Sequence, residues 1–276
     1  MEEGHERTDA AGCVGTGANP HAWQQDTYQA WVRRFGMPAE AAARLRRDPT
    51  TVLHPLSRHF GDVQGKRVAH LLGSNGVKAV ALAMVGAEVT VVDYSPANAR
   101  YAGELARQAG LDVRYLVCDV LAMPEAEVRA EYDLVLAELG VVHYFTDLAP
   151  FMQVVLRLLR PGGRFVLRDF HPVSTKLLSF RGSTAKVRKC RVTGDYFDTS
   201  LEEHPAPWAK HLPPGEGGSA PCVHWRRWTL GEVVTAVAAA GLFVRLLEEE
   251  PNLSSEVFDR GIPKTFTLVA DKVPVA

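Results

Sequence analysis

The stretch VAHLLGSNGVKAVALAMVGAEVTVVD, residues 68–93, decides the fold. Residues 68–72 are an apolar run of strand length, followed by a turn cluster of Gly73, Ser74, Asn75 and Gly76. Ala79, Val80, Leu82, Ala83 and Val85 recur at helical spacing until Gly86 stops the helix. Residues 89–92 read as a second buried strand with Asp93 at its carboxyl end. A strand–helix–strand unit this short implies a right-handed crossover and a parallel sheet. Ligands of such sheets bind outside the carboxyl ends of the strands, where both the turn and Asp93 lie. The stretch is therefore predicted to form half of a nucleoside-binding site.

The alternation continues towards the C-terminus. Ser95 as N-cap and Pro96 at the first helical position open a helix to about residue 109, closed by Gly110. Val113, Tyr115 and Val117 alternate into a third strand ending at Cys118 and Asp119. A linking helical segment (124–130) leads to a fourth strand, 132–137, ending at Glu138. Leu148, Phe151, Val154, Val155, Leu158 and Leu159 form a helical face stopped by Pro161, Gly162 and Gly163, and residues 164–167 make a fifth strand. Residues 172–228 break this rhythm. They are rich in Pro, Gly and aromatics, and a loop that long needs a role, so a hairpin-bearing cap is predicted. Thr229 and Glu232 form a capping box for a last helix, and residues 242–247 and 264–270 suit an antiparallel pair at one sheet edge.

Towards the N-terminus, Trp23, Tyr28, Trp31, Val32 and Phe35 share one face of a helix ended by Gly36 and Pro38. Further helices are expected over about 39–47 and 53–60. The predicted organisation is a disordered polar tail (1–20), a helical lid (21–65) and an α/β domain (66–276) with its insert at 172–228. The fold class is Rossmann-like: a mostly parallel seven-stranded sheet with an antiparallel edge pair and helices on both faces.

A chain of 276 residues is long enough for one such domain plus a cap. Its net charge of −1 argues against a dedicated nucleic-acid partner, and the basic run from Lys186 to Arg191 reads as a solvated hairpin face. No apolar run reaches bilayer length, residues 1–10 carry no secretory pattern, and the four cysteines show no paired spacing. A cytoplasmic protein with no membrane partner is expected, and a homodimer is compatible with the sequence. His204, His211, Cys222 and His224 match no metal-ligand spacing, so no metal is expected.

Taken together, the turn before Ala79, Asp93 after the second strand, Cys118-Asp119-Val120 after the third, YDLVLAE (132–138) at the fourth and LRPGGRFV (159–166) at the fifth resemble the class I S-adenosylmethionine-dependent methyltransferase family, in its bacterial small-molecule form. The resemblance covers about residues 66–272 and departs at the first motif. Aligned on Gly76, His70 stands where an acid is usual, and Leu72 and Ser74 stand where two glycines are usual.

The resemblance implies S-adenosylmethionine as cofactor, with Gly73, Ser74, Asn75 and Gly76 along its methionine portion. Asp93 would accept from both ribose hydroxyls, Tyr94 would flank the adenine, Asp119 would accept from its amino group, and Val120 would read a ring nitrogen. Glu138 would hold the cofactor's amino group or take a proton, and His143 or His171 would be a general base. The aromatics Tyr28, Trp31, Tyr144, Tyr196 and Trp208 suggest a flat small-molecule acceptor, such as an indole or another electron-rich heterocycle of bacterial specialised metabolism, methylated at carbon or nitrogen. Rival readings are a nicotinamide-dependent oxidoreductase, an RNA methyltransferase and a non-catalytic cofactor-binding module. The first is disfavoured because Gly73-x-x-Gly76 is not the dinucleotide fingerprint.

Overall fold

The computed structural model describes residues 20–23, 27–181, 189–212, 221–251 and 261–274. The expected disordered tail therefore lies outside the described residues up to 19, as does the beginning of the Lys186 basic run.

In chain order the elements are α1 (Pro20–Trp23), α2 (Tyr28–Phe35), α3 (Pro38–Arg47), α4 (Thr50–Leu53), α5 (Ser57–Phe60), β1 (Arg67–Leu71), α6 (Val77–Met84), β2 (Glu88–Asp93), α7 (Pro96–Ala109), β3 (Arg114–Val117), β4 (Tyr132–Glu138), α8 (Ala149–Leu158), β5 (Leu159–Phe170), β6 (Leu178–Arg181), β7 (Lys189–Val192), β8 (Leu201–Pro205), β9 (Cys222–Arg226), α9 (Leu230–Ala239), β10 (Phe243–Glu250) and β11 (Thr265–Asp271). The main sheet has seven strands in the order β10-β11-β5-β4-β1-β2-β3. β1 pairs in parallel with β2 and β4, as do β2 with β3 and β4 with β5, while β11 runs antiparallel to both neighbours. The final pair thus sits at one edge as expected, with the last strand inside and β10 outermost.

Side chains alternate across the strands with period two and fill two cores. Val68, Val91, Leu134, Leu136 and Val166 face a layer holding Leu45, Leu82, Tyr101 and Leu105. Leu71, Val92, Val135, Ala137 and Phe165 face the other layer, with Phe151, Val155, Val233 and Val237. Both helix starts read from sequence form their bonds. The Asn98 amide donates to Ser95 Oγ at 3.3 Å, while the Glu232 amide donates to Thr229 Oγ1 at 3.2 Å and the Thr229 amide to Glu232 Oε2 at 2.8 Å.

Three local expectations differ. Residues 124–130 yield only a 3₁₀ turn, Glu125–Glu127, none of whose residues is buried. With no apolar face to bury, a longer helix has little to hold it. The helix expected over 53–60 is split into α4 and α5 around Pro55, which lacks the amide needed to continue a helix. The 21–65 segment is not a uniform lid: α3 packs against α7 and α4 against α6, leaving α1 and α2 to reach the strand ends. The insert forms two small antiparallel hairpins, β6-β7 and β8-β9. Among the described residues, no helix is long and apolar enough to cross a membrane.

Candidate active site

The turn between β1 and α6 keeps a tight course despite its two replaced glycines. Leu72 (φ 49°) and Ser74 (φ 52°) adopt the left-handed conformation that glycine favours, at roughly 1–2 kcal/mol each. Backbone bonds over-determine that course. The Leu72 amide donates to Val92 O at 2.7 Å, the Ser74 amide to Asp93 Oδ2 at 3.0 Å, and the Tyr115 hydroxyl to Ser74 O at 2.7 Å. The two retained glycines are required by space. A Cβ on Gly73 would meet Val91 Cγ1 at 2.7 Å, and one on Gly76 would meet Ala102 Cβ at 2.5 Å.

Asp93 is the hub of the site. Burial pushes its carboxyl above the usual carboxylate range, opposed by four donors: the Ser95 amide (2.9 Å), the Asn98 side-chain amide (3.0 Å), the Ser74 amide and the Tyr115 hydroxyl. Asn98 in turn accepts from Thr27 Oγ1 at 3.0 Å and Trp31 Nε1 at 2.6 Å, so a buried network ties the N-terminal helices to the acid.

A cavity of about 240 Å³ opens over these strand ends. Its floor carries Ser74, Asp93, Tyr94, Cys118, Asp119, Val120 and Glu138, and its roof carries Trp23 and Trp31 from the N-terminal segment with Pro207, Trp208, Lys210 and His211 from the insert. Leu139 and Tyr144 line it from the loop after β4. Asp119 also caps the following 3₁₀ turn, accepting from the Leu121 amide at 2.9 Å. Glu138 forms a largely buried ion pair with Lys78. Beneath the turn, burial and then Lys78 push His70 down to about 3, so this histidine is neutral in the folded chain.

The roof is fastened through its own polar atoms. Trp208 Nε1 donates to Ala22 O at 3.1 Å, Trp31 Nε1 goes to Asn98, and His211 tilts against Trp31 with ring centroids 6.0 Å apart. Trp23 meets Tyr144 edge to face at 5.6 Å. Burial raises the Tyr144 phenol well above its ordinary value, which leaves it a protonated donor.

Several sequence-predicted residues fall elsewhere. Tyr28 bonds Glu104 and lies under Arg100 against α7, outside the cavity lining. Tyr196 accepts from the Leu230 amide at 3.2 Å and packs on Phe197, also away from the cavity. His171 is buried between strands. Its Nδ1 accepts from the Val173 amide at 3.1 Å and its Nε2 lies 2.6 Å from Glu249 Oε1, so it cannot serve the cavity as a base. His143 lines a separate pocket of about 100 Å³, between Tyr144 and Trp225, and burial pushes it down to about 3. Gly73, Asn75 and Gly76 shape the turn without lining the cavity; Asn75 Oδ1 accepts from the Val77 amide at 3.1 Å. Asp169 is also structural, gathering the amides of Gly140, Val141, Val142 and Phe170.

Two residues that hold the site's acids were not predicted from the sequence. Lys78 is the one charge in the apolar first turn of α6, where the helix dipole disfavours a cation, so it needed a partner acid nearby. Asn98 sits in the first turn of α7, facing back to the strand-end acid.

A mostly parallel sheet with an acid-lined cavity at its strand ends has the arrangement in which open α/β folds bind their ligands. Residues 72–167 match the family described as a methyltransferase domain. A ubiquinone biosynthesis O-methyltransferase of Methylobacterium sp. (strain 4-46) is 38% identical over 90 residues, 33% of this chain, and the chain spans only 35% of that enzyme. Among solved structures, an S-adenosylmethionine dependent methyltransferase from Mesorhizobium loti superimposes with TM-score 0.58 at 22% identity, covering 79% of this chain and 97% of that one. Geranyl diphosphate C-methyltransferase from Streptomyces coelicolor A3(2), crystallised with S-adenosyl-L-homocysteine, superimposes with TM-score 0.54 at 17% identity, covering 85% and 83%. Residues 72–167 thus resemble a methyltransferase domain, and the chain has the fold of class I S-adenosylmethionine-dependent methyltransferases. The acceptor set on the cavity floor, the carboxylates of Asp93, Asp119 and Glu138, fits the hydroxyls, amino groups and positive charge of S-adenosylmethionine.

Proposed function

We propose that the protein transfers a methyl group from S-adenosylmethionine to a small planar aromatic acceptor, at carbon or nitrogen as in an indole-like heterocycle. The observation that carries this reading is the two-sided cavity, with three carboxylates on its floor and Trp23, Trp31, Tyr144 and Trp208 above them. In this scheme Asp93 takes a ribose hydroxyl, Tyr94 flanks the purine, and Asp119 accepts from its amino group. Lys78 faces the carboxylate of the amino-acid end. When bound, the cofactor supplies an electrophilic methyl group on a sulfonium.

The chain's own work is placement. Aromatic faces on the roof hold the acceptor in line and exclude water, and alignment of this kind can supply ~7–11 kcal/mol. At about 240 Å³ the cavity is below the ~300–1,000 Å³ usual for ligand pockets, so α1–α2 and the 206–211 segment are proposed to lift for cofactor and acceptor to reach it. Glu138, a cavity carboxylate held by Lys78, is proposed to take an acceptor proton, with His143 and His171 lying outside the cavity.

Incubation with S-adenosylmethionine and a panel of indoles, pyridines and phenols, read by a one-methyl mass increase, tests the proposal. Methylation of a flat member at carbon or nitrogen supports it. A panel methylated only at phenolic oxygen would move the acceptor atom to that named for the ubiquinone relative. Glu138→Gln should fold and bind S-adenosylhomocysteine yet turn over about 10²-fold more slowly, the low end for a general base. Wild-type turnover in that variant would remove Glu138 from the proton's path.

A further inference from the structure

The cavity is polarised in a way that bears on what its acceptor half receives. Its carboxylates, Asp93, Asp119 and Glu138, all stand at strand ends on the floor, whereas the roof contributes Lys210 and His211, both from a single 3₁₀ turn of the insert, Ala209–His211. Lys210 meets no carboxylate among the described residues, although Lys78, Arg58, Arg164 and Arg168 each do. Arg34 adds its charge beside His211, so the positive field on this side comes from two elements. The N–H groups of Trp31 and Trp208 already fasten the roof, so these two indoles offer faces only, and Lys210 is the charged side chain that the roof brings to the cavity.

We infer that the acceptor is a planar aromatic molecule bearing a negatively charged oxygen group, a carboxylate or an ionised phenol, seated against Lys210 and His211. This rests on the methyltransferase reading and narrows its substrate class. An anionic acceptor would gain an ion pair with Lys210 at the mouth of the aromatic pocket that a neutral one would not, and a cationic one would be repelled by it. An anion also complements the sulfonium across the cavity, so cofactor and acceptor would neutralise one another as they approach.

The test uses the full chain saturated with S-adenosylhomocysteine and two matched pairs of probes. Indole-3-carboxylate against indole-3-carboxamide examines the carboxylate, and 4-nitrophenolate against 4-nitroanisole examines the phenolate. In calorimetry the anion of at least one pair should bind about tenfold tighter than its neutral partner, the weight of one charge-assisted hydrogen bond. That preference should vanish in Lys210→Met and invert in Lys210→Glu, while S-adenosylhomocysteine affinity stays within about twofold. Equal or tighter binding of the neutral members, absence of binding by either anion, or a preference that survives both substitutions overturns the inference. Failure of S-adenosylhomocysteine itself to bind would instead remove the methyltransferase reading beneath it.

Discussion

On the floor of the cavity, chemistry is held by backbone. Asp93 grips the Ser74 and Ser95 amides, Asp119 caps its own turn, and Glu138 ends a central strand tied to Lys78. On the roof, chemistry is held by side chains reaching between segments far apart in sequence: Trp31 to Asn98, Trp208 to Ala22. A floor built into strand ends can change little without disturbing the sheet. A roof pinned by a few hydrogen bonds can be rebuilt residue by residue, so acceptor choice is proposed to lie with the roof and cofactor binding with the floor.

The sharpest way to break that division is Asp93→Asn. Loss of one charge-assisted bond at a buried hub should weaken S-adenosylhomocysteine by about 10–100-fold, or roughly 1.5–3 kcal/mol, measurable by calorimetry. Unchanged affinity would mean that Asp93 only fastens the turn.

The floor also has a pH signature. His70 is held neutral down to about 3 in the fold, whereas an unfolded chain protonates it near its ordinary value of 6.5. The unfolded state therefore binds more protons between those values, and stability falls as pH drops through this window by up to about 1.4 kcal/mol per unit. Denaturation of His70→Gln followed against pH should show a flatter decline over that range; an unaltered slope would assign the acid sensitivity elsewhere.

On the roof, Trp31→Phe keeps an aromatic face but removes the bond to Asn98. It should cost about 1 kcal/mol of stability and raise the acceptor KM more than the cofactor Kd. A larger effect on cofactor affinity would show that the Trp31–Asn98–Asp93 chain couples the two halves. The smallest effect is expected in the turn. Ser74→Gly releases a left-handed serine, so despite glycine's greater chain entropy it should stabilise by about 0.5 kcal/mol in urea unfolding. A loss of stability would mean that the serine side chain contributes more than its strain.

The same contrast explains what was legible in the sequence. The strand–helix alternation, the antiparallel edge pair, the place of Asp93 and the capping residues Ser95 and Thr229 follow from rules of spacing and hydrogen bonding, and the structure has them. At the turn, the replaced glycines left the route open, and the structure keeps it by placing Leu72 and Ser74 at positive φ. The site's aromatics were harder. Tyr28 and Trp31 lie on the same short helix, yet one packs on α7 and the other lines the cavity. Which face a helix turns to a ligand depends on where the insert lands, and contacts such as Trp208 to Ala22 span a sequence separation that no local pattern reports. His171 and Asp169 show the converse: residues at a strand's carboxyl end can be consumed by the structure that makes the site.

The most direct measurement is calorimetry of the intact chain with S-adenosylhomocysteine and, separately, with NAD. One molecule of S-adenosylhomocysteine bound per chain, with no heat from NAD, is the expected result. Binding of NAD alone would contradict the assignment of the Asp93 floor to a methyl donor.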